Sequence, residues 1–188
     1  FNVLYLSNLI PSKGYLSLLK SLVFIDKNIR PNLVFTFVGK FMDVKAEKIH
    51  GKKEKENFFN YINKHNLESN VNYIESAWGK EKYDLYNSND VFVLPSNYIY
   101  EMQPISIIEA MSCGLPIISS KIGLIPSMVE HNINGFILDE TKPENIANCI
   151  LTLMQNSKLM LKMQVANIEK YKNNYSEEIF LESIDKLI

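Results

Sequence analysis

The sequence predicts a doubly wound, Rossmann-like α/β domain: a parallel sheet of about six strands with helices on both faces. Three observations carry the prediction. Apolar runs such as Val91-Phe92-Val93-Leu94 lack the alternation of a half-exposed strand, which marks strands covered on both faces. Stretches with helical spacing of apolar residues separate these runs. Glycine and proline punctuate the junctions, as at Gly39, Pro95 and Gly114.

The elements follow in order. Asn2 to Ser7 reads as a strand, and Tyr15 to Ile29 as a helix with Leu18, Leu19, Leu22 and Val23 on one side. Leu33 to Val38 is a buried strand closed by Gly39. The lysine-rich residues 43–66 read as a helix that is amphipathic through Phe58, Phe59 and Ile62, its lysines and glutamates forming a solvated face. Val71 to Ile74 is a short strand, Lys80 to Tyr86 a helix and Val91 to Leu94 a strand. A helix over 104–113 leads to a strand at 116–119, a brief helix near Pro126 to Glu130 and a last strand, Gly135 to Leu138. Three helices finish the chain.

The 104–113 helix carries the most information. Pro104 suits the first helical position, where a missing N–H costs nothing, and Gly114 suits the left-handed residue that ends a helix. Ile105, Ile107, Ile108, Ala110 and Met111 make the helix apolar almost all round, which predicts burial. Ser106, Glu109 and Cys113 form its one polar stripe. A carboxylate on such a helix needs a partner. Either Glu109 pairs with one of the lysines, or it lines a cleft and accepts hydrogen bonds from ligand hydroxyls. The N–H groups of Ile105, Ser106 and Ile107 point past the helix start and favour an anion there. An anion site beside a hydroxyl-binding carboxylate suits a sugar nucleotide.

Ligands of doubly wound sheets bind beyond the carboxyl ends of the strands. The loop after the first strand holds Asn8 and then Pro11-Ser12-Lys13-Gly14, where a lysine and a glycine at a helix start suit a phosphate as well as they suit a plain surface turn. Gly39 reads equally as a turn residue and as a point of close ligand approach. Trp78, the only tryptophan, either packs or stacks on a base. Tyr98 and Tyr100 precede Glu101 and offer walls for a pocket.

With 188 residues, 46% hydrophobic and 22% charged, the chain suits one soluble globular domain. A net charge of -1 leaves no basic excess for nucleic acid. Cys113 and Cys149 have no metal or redox spacing and read as reduced core residues, which points to a cytoplasmic protein. No His/Asp/Glu spacing suggests a metal, and no apolar run reaches the ~20 residues that span a bilayer. The chain starts without methionine, one residue before a strand, which predicts a start at a domain boundary.

Taken together, Glu101, seven residues, and then Glu109-Ala110-Met111-Ser112-Cys113-Gly114-Leu115-Pro116-Ile117-Ile118 resemble the retaining glycosyltransferases of family 4, with a GT-B fold. Leu6-Ser7-Asn8, Lys13-Gly14, Phe37-Val38-Gly39, Asn89 to Ser96 and Asn134-Gly135-Phe136 extend the similarity over most of the chain. The resemblance implies that residues 1–188 are the C-terminal, donor-binding half of a two-domain enzyme, with the amino-terminal half supplying most of the site for a saccharide or lipid-linked acceptor. It implies that Glu101 lies against the donor sugar, Glu109 binds the ribose hydroxyls and Lys13 contacts the diphosphate. The backbone through Met102, Gln103, Pro104 and Ile105, with Ser106 beyond, closes over sugar and phosphates. Gly14 and Gly39 allow close approach, and Trp78 lies near the base. The donor is a UDP-sugar by frequency in the family, and no metal or other cofactor is needed. The last helices, about 157–188, pack toward the other domain, and the full-length protein makes peripheral contact with the membrane inner face. The fragment alone is expected to be inactive. Three positions depart from the pattern: Asn8 where an arginine is usual, Met102 where glycine is common, and Leu124 after Gly123. The same fold also serves sugar-nucleotide epimerases, phosphorylases and non-catalytic nucleotide-binding modules.

Overall fold

The computed structural model describes residues 1–185. Six strands form one parallel sheet: β1 (Asn2–Leu6), β2 (Val34–Val38), β3 (Val71–Ile74), β4 (Val91–Leu94), β5 (Ile117–Ser120) and β6 (Gly135–Leu138). Their spatial order is β3-β2-β1-β4-β5-β6, and every pairing is parallel. Every residue of β4 and β5 is buried, so helices cover both sheet faces, as the continuous apolar runs predict. β3 is partly exposed because it is an edge.

The helices are α1 (Tyr15–Ser21), α2 (Gly51–Lys64), α3 (Gly79–Asn87), α4 (Ile105–Ser112), α5 (Ile125–Met128), α6 (Pro143–Gln155), α7 (Ser157–Asn174) and α8 (Glu177–Asp185). α1 packs on α6, and α4 packs on α7. Lys186, Leu187 and Ile188, part of the expected last helix, lie outside the described residues.

Three expectations need correction. The first helix stops at Ser21 and is followed by a single 3-10 turn, Leu22–Phe24. Beyond it the Asp26 carboxylate accepts the Asn28 N–H at 2.7 Å, a local bond that competes with continued helix. Residues 43–50 are not helical in the way their lysine content suggests. Val44 and Ile49 exchange backbone hydrogen bonds around the left-handed Lys48. The Asp43 carboxylate then accepts the Gly51 N–H at 2.7 Å and fixes where α2 begins. Third, α4 is not buried all round. Ile107, Ala110 and Met111 are fully buried, whereas Ile105, in the first turn, is 71% exposed.

An aromatic cluster of Tyr15, Phe37, Phe41, Phe58 and Tyr73 binds α1 and α2 to β2 and β3 at the same end of the sheet. Its ring centroids lie 5.2–6.2 Å apart, the range of favourable edge and tilted contacts. Within it the Tyr15 hydroxyl donates to Glu54 at 2.8 Å.

Both cysteines are free thiols, and burial pushes their pKa values up, that of Cys149 to about 11. Each thiol therefore stays protonated near neutral pH, and the thiolate is the reactive form. Iodoacetamide at about pH 8 is expected to alkylate the native chain slowly and both cysteines quickly in urea. Mass spectrometry against time reads this out, and fast native labelling of Cys149 would contradict its burial.

Candidate functional site

In this strand order the direction of winding reverses between β1 and β4, and a crevice opens beyond their carboxyl ends. The loops that follow these two strands meet there. Lys13, from the first, and Glu101, from the second, form an ion pair at 2.7 Å, with side chains only 15% and 7% exposed. The Ser96 hydroxyl donates to the same Glu101 oxygen at 2.8 Å, and the Lys13 ammonium lies 4.7 Å from the centroid of the Tyr98 ring. Both donors converge on the same oxygen, Oε2.

The lysine loop is held from beneath. Tyr5, fully buried in β1, donates from its hydroxyl to the Asn8 carbonyl at 3.2 Å and toward that of Lys13 at 3.4 Å. Burial raises the phenol well above its ordinary value, so it remains a donor. Gly14, at φ +82, turns the chain into α1. A Cβ there would stand 2.0 Å from the Pro95 carbonyl oxygen, so the two loops touch only because this residue is glycine. The Asn97 N–H donates to the Ser12 carbonyl at 2.6 Å and completes the seam.

Past Asn8 of the lysine loop lies a cleft of about 420 Å³ beyond β1, β2 and β3, walled by Ser7, Asn8, Gly39, Lys40, Trp78 and Lys82 among others; Lys13 and Glu101 are not among its walls. Trp78 is 78% exposed at its rim, so it does not serve the core. Gly39 also lines the cleft, but its first duty is to the fold: a Cβ would stand 2.0 Å from the Ser7 carbonyl.

Glu109 is anchored by two donors from α3. Lys82 pairs with its Oε1, and the Tyr86 hydroxyl donates to Oε2 at 2.9 Å. This is the lysine ion pair that the sequence allowed. Glu109 is not itself a wall of the cleft, but its partner Lys82 is.

Pro104 is the residue before α4 rather than its first, because its ψ of 117 is extended. The Ile107 N–H is taken by the Pro104 carbonyl at 3.0 Å. Of the three amides expected at the helix start, those of Ile105 and Ser106 remain without a backbone partner among the described residues. Met102 and Gln103 are exposed, and the Met102 carbonyl accepts the Leu124 N–H at 2.9 Å, so the loop after β5 braces the Glu101 loop.

Tyr5, Lys82, Tyr86 and Ser96 are site residues that sequence reasoning missed. Lys82 had one available signal, its place in the first turn of a helix that begins at a strand-end loop.

A 3-2-1-4-5-6 parallel sheet with a charged crevice at its switch point defines a doubly wound domain of the nucleotide-binding kind. Residues 1–170 match the family described as Glycosyl transferases group 1, and the chain belongs to that family. It is 27% identical, over 135 residues, to the UDP-Gal:alpha-D-GlcNAc-diphosphoundecaprenol alpha-1,3-galactosyltransferase of Escherichia coli, covering 72% of this chain and 31% of that protein. In structure it is similar to HepE of Anabaena, solved in complex with UDP and glucose, with a TM-score of 0.84, 22% identity, and coverage of 100% of this chain and 48% of the other. It is also similar to the C-terminal domain of the group 1 glycosyl transferase LpcC from Francisella tularensis, with a TM-score of 0.79, 17% identity, and coverage of 94% and 87%. The chain spans less than half the length of the curated relatives it matches. Among the described residues no helix is long and apolar enough to cross a membrane.

Proposed function

We propose that this chain is the C-terminal, donor-binding domain of a retaining glycosyltransferase that takes a nucleotide-sugar, with UDP as the base-bearing group, and passes the sugar to a saccharide or lipid-linked acceptor held by another domain. The observation that carries the reading is the Lys13–Glu101 pair across the switch point, together with a cleft past Asn8 that has an exposed tryptophan. The UDP in the HepE complex and the donor named for the Escherichia coli relative favour UDP. The close match in extent to the LpcC C-terminal domain favours the half-enzyme reading.

In this reading the base stacks near Trp78 and the ribose hydroxyls reach Glu109. The diphosphate takes Lys13 and the Ile105 and Ser106 amides, whose fixed positive dipoles favour the charge that builds on the departing group. Losing Lys13 to the phosphates frees Glu101 to accept from sugar hydroxyls. No metal is required, since lysine and helix amides supply the positive field. The bacterial setting, a surface polysaccharide product and membrane contact of the intact protein belong to the same proposal.

A thermal-shift screen against UDP, GDP, ADP and CDP, with and without magnesium, tests it. UDP is expected to raise the midpoint without metal, because a ligand bound only by the folded state stabilises it. Glu109→Ala should abolish the rise. A shift with none of the four would overturn donor binding by this domain.

A further inference from the structure

The donor reading assigns the ribose to Glu109, and α3 determines how that carboxylate is presented. Lys82 and Tyr86 are one helical turn apart, so both point from the same face of α3 toward α4. Lys82 takes Glu109 Oε1 and Tyr86 takes Oε2, one donor to each oxygen. The Tyr86 ring is fully buried, 5.9 Å from Phe92 of β4, and its hydroxyl also reaches the Ser106 carbonyl at 3.3 Å. Burial, and then the neighbouring Glu109, raise this phenol well above its ordinary value, so it cannot become a competing anion near neutral pH. Lys82 is also three-quarters buried, yet it lines the cleft with Asn8, Gly39 and Trp78.

A carboxylate on a flexible side chain presents both oxygens to a vicinal diol in one pose only when its rotation is held. Each carboxylate oxygen has two lone pairs. With one on each oxygen fixed by α3, the two left over can receive a pair of adjacent hydroxyls. We infer that Lys82 and Tyr86 are positioning residues that make Glu109 a diol acceptor, and that they set the preference of this site for ribose over deoxyribose nucleotides. The inference rests on the donor reading and adds its determinants: neither residue belongs to the pair of glutamates or to the lysine loop.

The test compares UDP with 2′,3′-dideoxy-UDP by calorimetric titration of the 188-residue chain, its Lys82→Met, Lys82→Arg and Tyr86→Phe variants. Wild type is expected to prefer UDP by roughly tenfold or more, the loss typical of hydrogen bonds to a charged group. Lys82→Met and Tyr86→Phe should each shrink that ratio severalfold, and Lys82→Arg should restore it. A merely structural role would weaken both ligands alike. Parallel losses, or an unchanged ratio in folded variants, overturn the inference and leave the donor reading standing. Wild type that binds UDP no better than its dideoxy analogue removes the diol contact itself. Wild type that binds neither overturns the donor reading as well. Unfolding midpoints of each variant separate a local change from loss of fold.

Discussion

Asn167→Ala is expected to lower the unfolding free energy by about 3–5 kcal/mol, the upper range for a single substitution. Asn167 lies on α7 with no exposed surface. Its amide nitrogen, with two hydrogens to share, lies within donating distance of three carbonyls, those of Leu115 at 2.8 Å, Asn134 at 2.7 Å and Met163 at 3.0 Å. Its oxygen accepts from the Asn134 side chain at 3.0 Å, and that side chain in turn donates to the Met128 carbonyl at 3.1 Å. The network ties α7 to the turn before β5 and to the turn before β6. Truncation strands several buried polar groups, each costing about 1–3 kcal/mol, and leaves a cavity besides. Urea denaturation followed by circular dichroism reads the change as a lower midpoint at constant slope. A loss below about 1 kcal/mol would mean that water replaces the side chain and the network does not hold α7 in place.

Asn167 also marks the limit of what the residues reveal. An asparagine in a lysine-rich helix reads as solvated, and nothing local distinguishes it from Asn173 or Asn174. Its partners are 33 and 52 residues away, so only the folded chain shows why it is there. The sheet was legible for the opposite reason. Val91 to Leu94 is apolar at every position, and a run of that kind is stable only between two layers. The expected overlong helices at 15–29 and 43–66 failed where a carboxylate intervened, Asp26 in one and Asp43 in the other. Periodicity sees apolar spacing but not a side chain that competes for backbone amides.

The site was legible in half. Lys13 and Glu101 belong to recognisable loops, and the strand-end rule for doubly wound sheets puts both loops at one crevice. That they touch follows from the strand order, which sets β2 on one side of β1 and β4 on the other, so that the loops after β1 and β4 are neighbours. Glu109 was expected to choose between a lysine and a ligand, and the structure shows the lysine. Lys82 stands in the first turn of a helix that opens at a strand-end loop, as Lys80 does, and only the packing of α3 on α4 shows which of the two meets Glu109.

Lys13→Met is expected to cost more in stability than the loss of one surface charge, and this cost separates what the residue does for the fold from what it does for the ligand. Glu101 is 7% exposed, and without Lys13 its carboxylate keeps one neutral donor, Ser96. Breaking a buried pair from one side typically costs about 3–5 kcal/mol, because the remaining charge is left in a poor solvent. Replacing Glu101 with glutamine as well removes that charge, so the double variant Lys13→Met/Glu101→Gln should recover most of the loss. Binding should behave differently. If Lys13 holds the diphosphate as proposed, UDP should stabilise neither variant, whereas it is expected to stabilise the wild type. In an intact enzyme, transfer should fall by about 10²–10³-fold in both, the scale for removing one group that stabilises developing charge. Urea midpoints with and without UDP provide the whole comparison. If the double variant regains stability and also responds to UDP, Lys13 is a structural partner of Glu101 and the diphosphate is held elsewhere in the crevice. If Lys13→Met is as stable as wild type, the ion pair is not maintained in solution and Glu101 is already free for a sugar before any donor arrives.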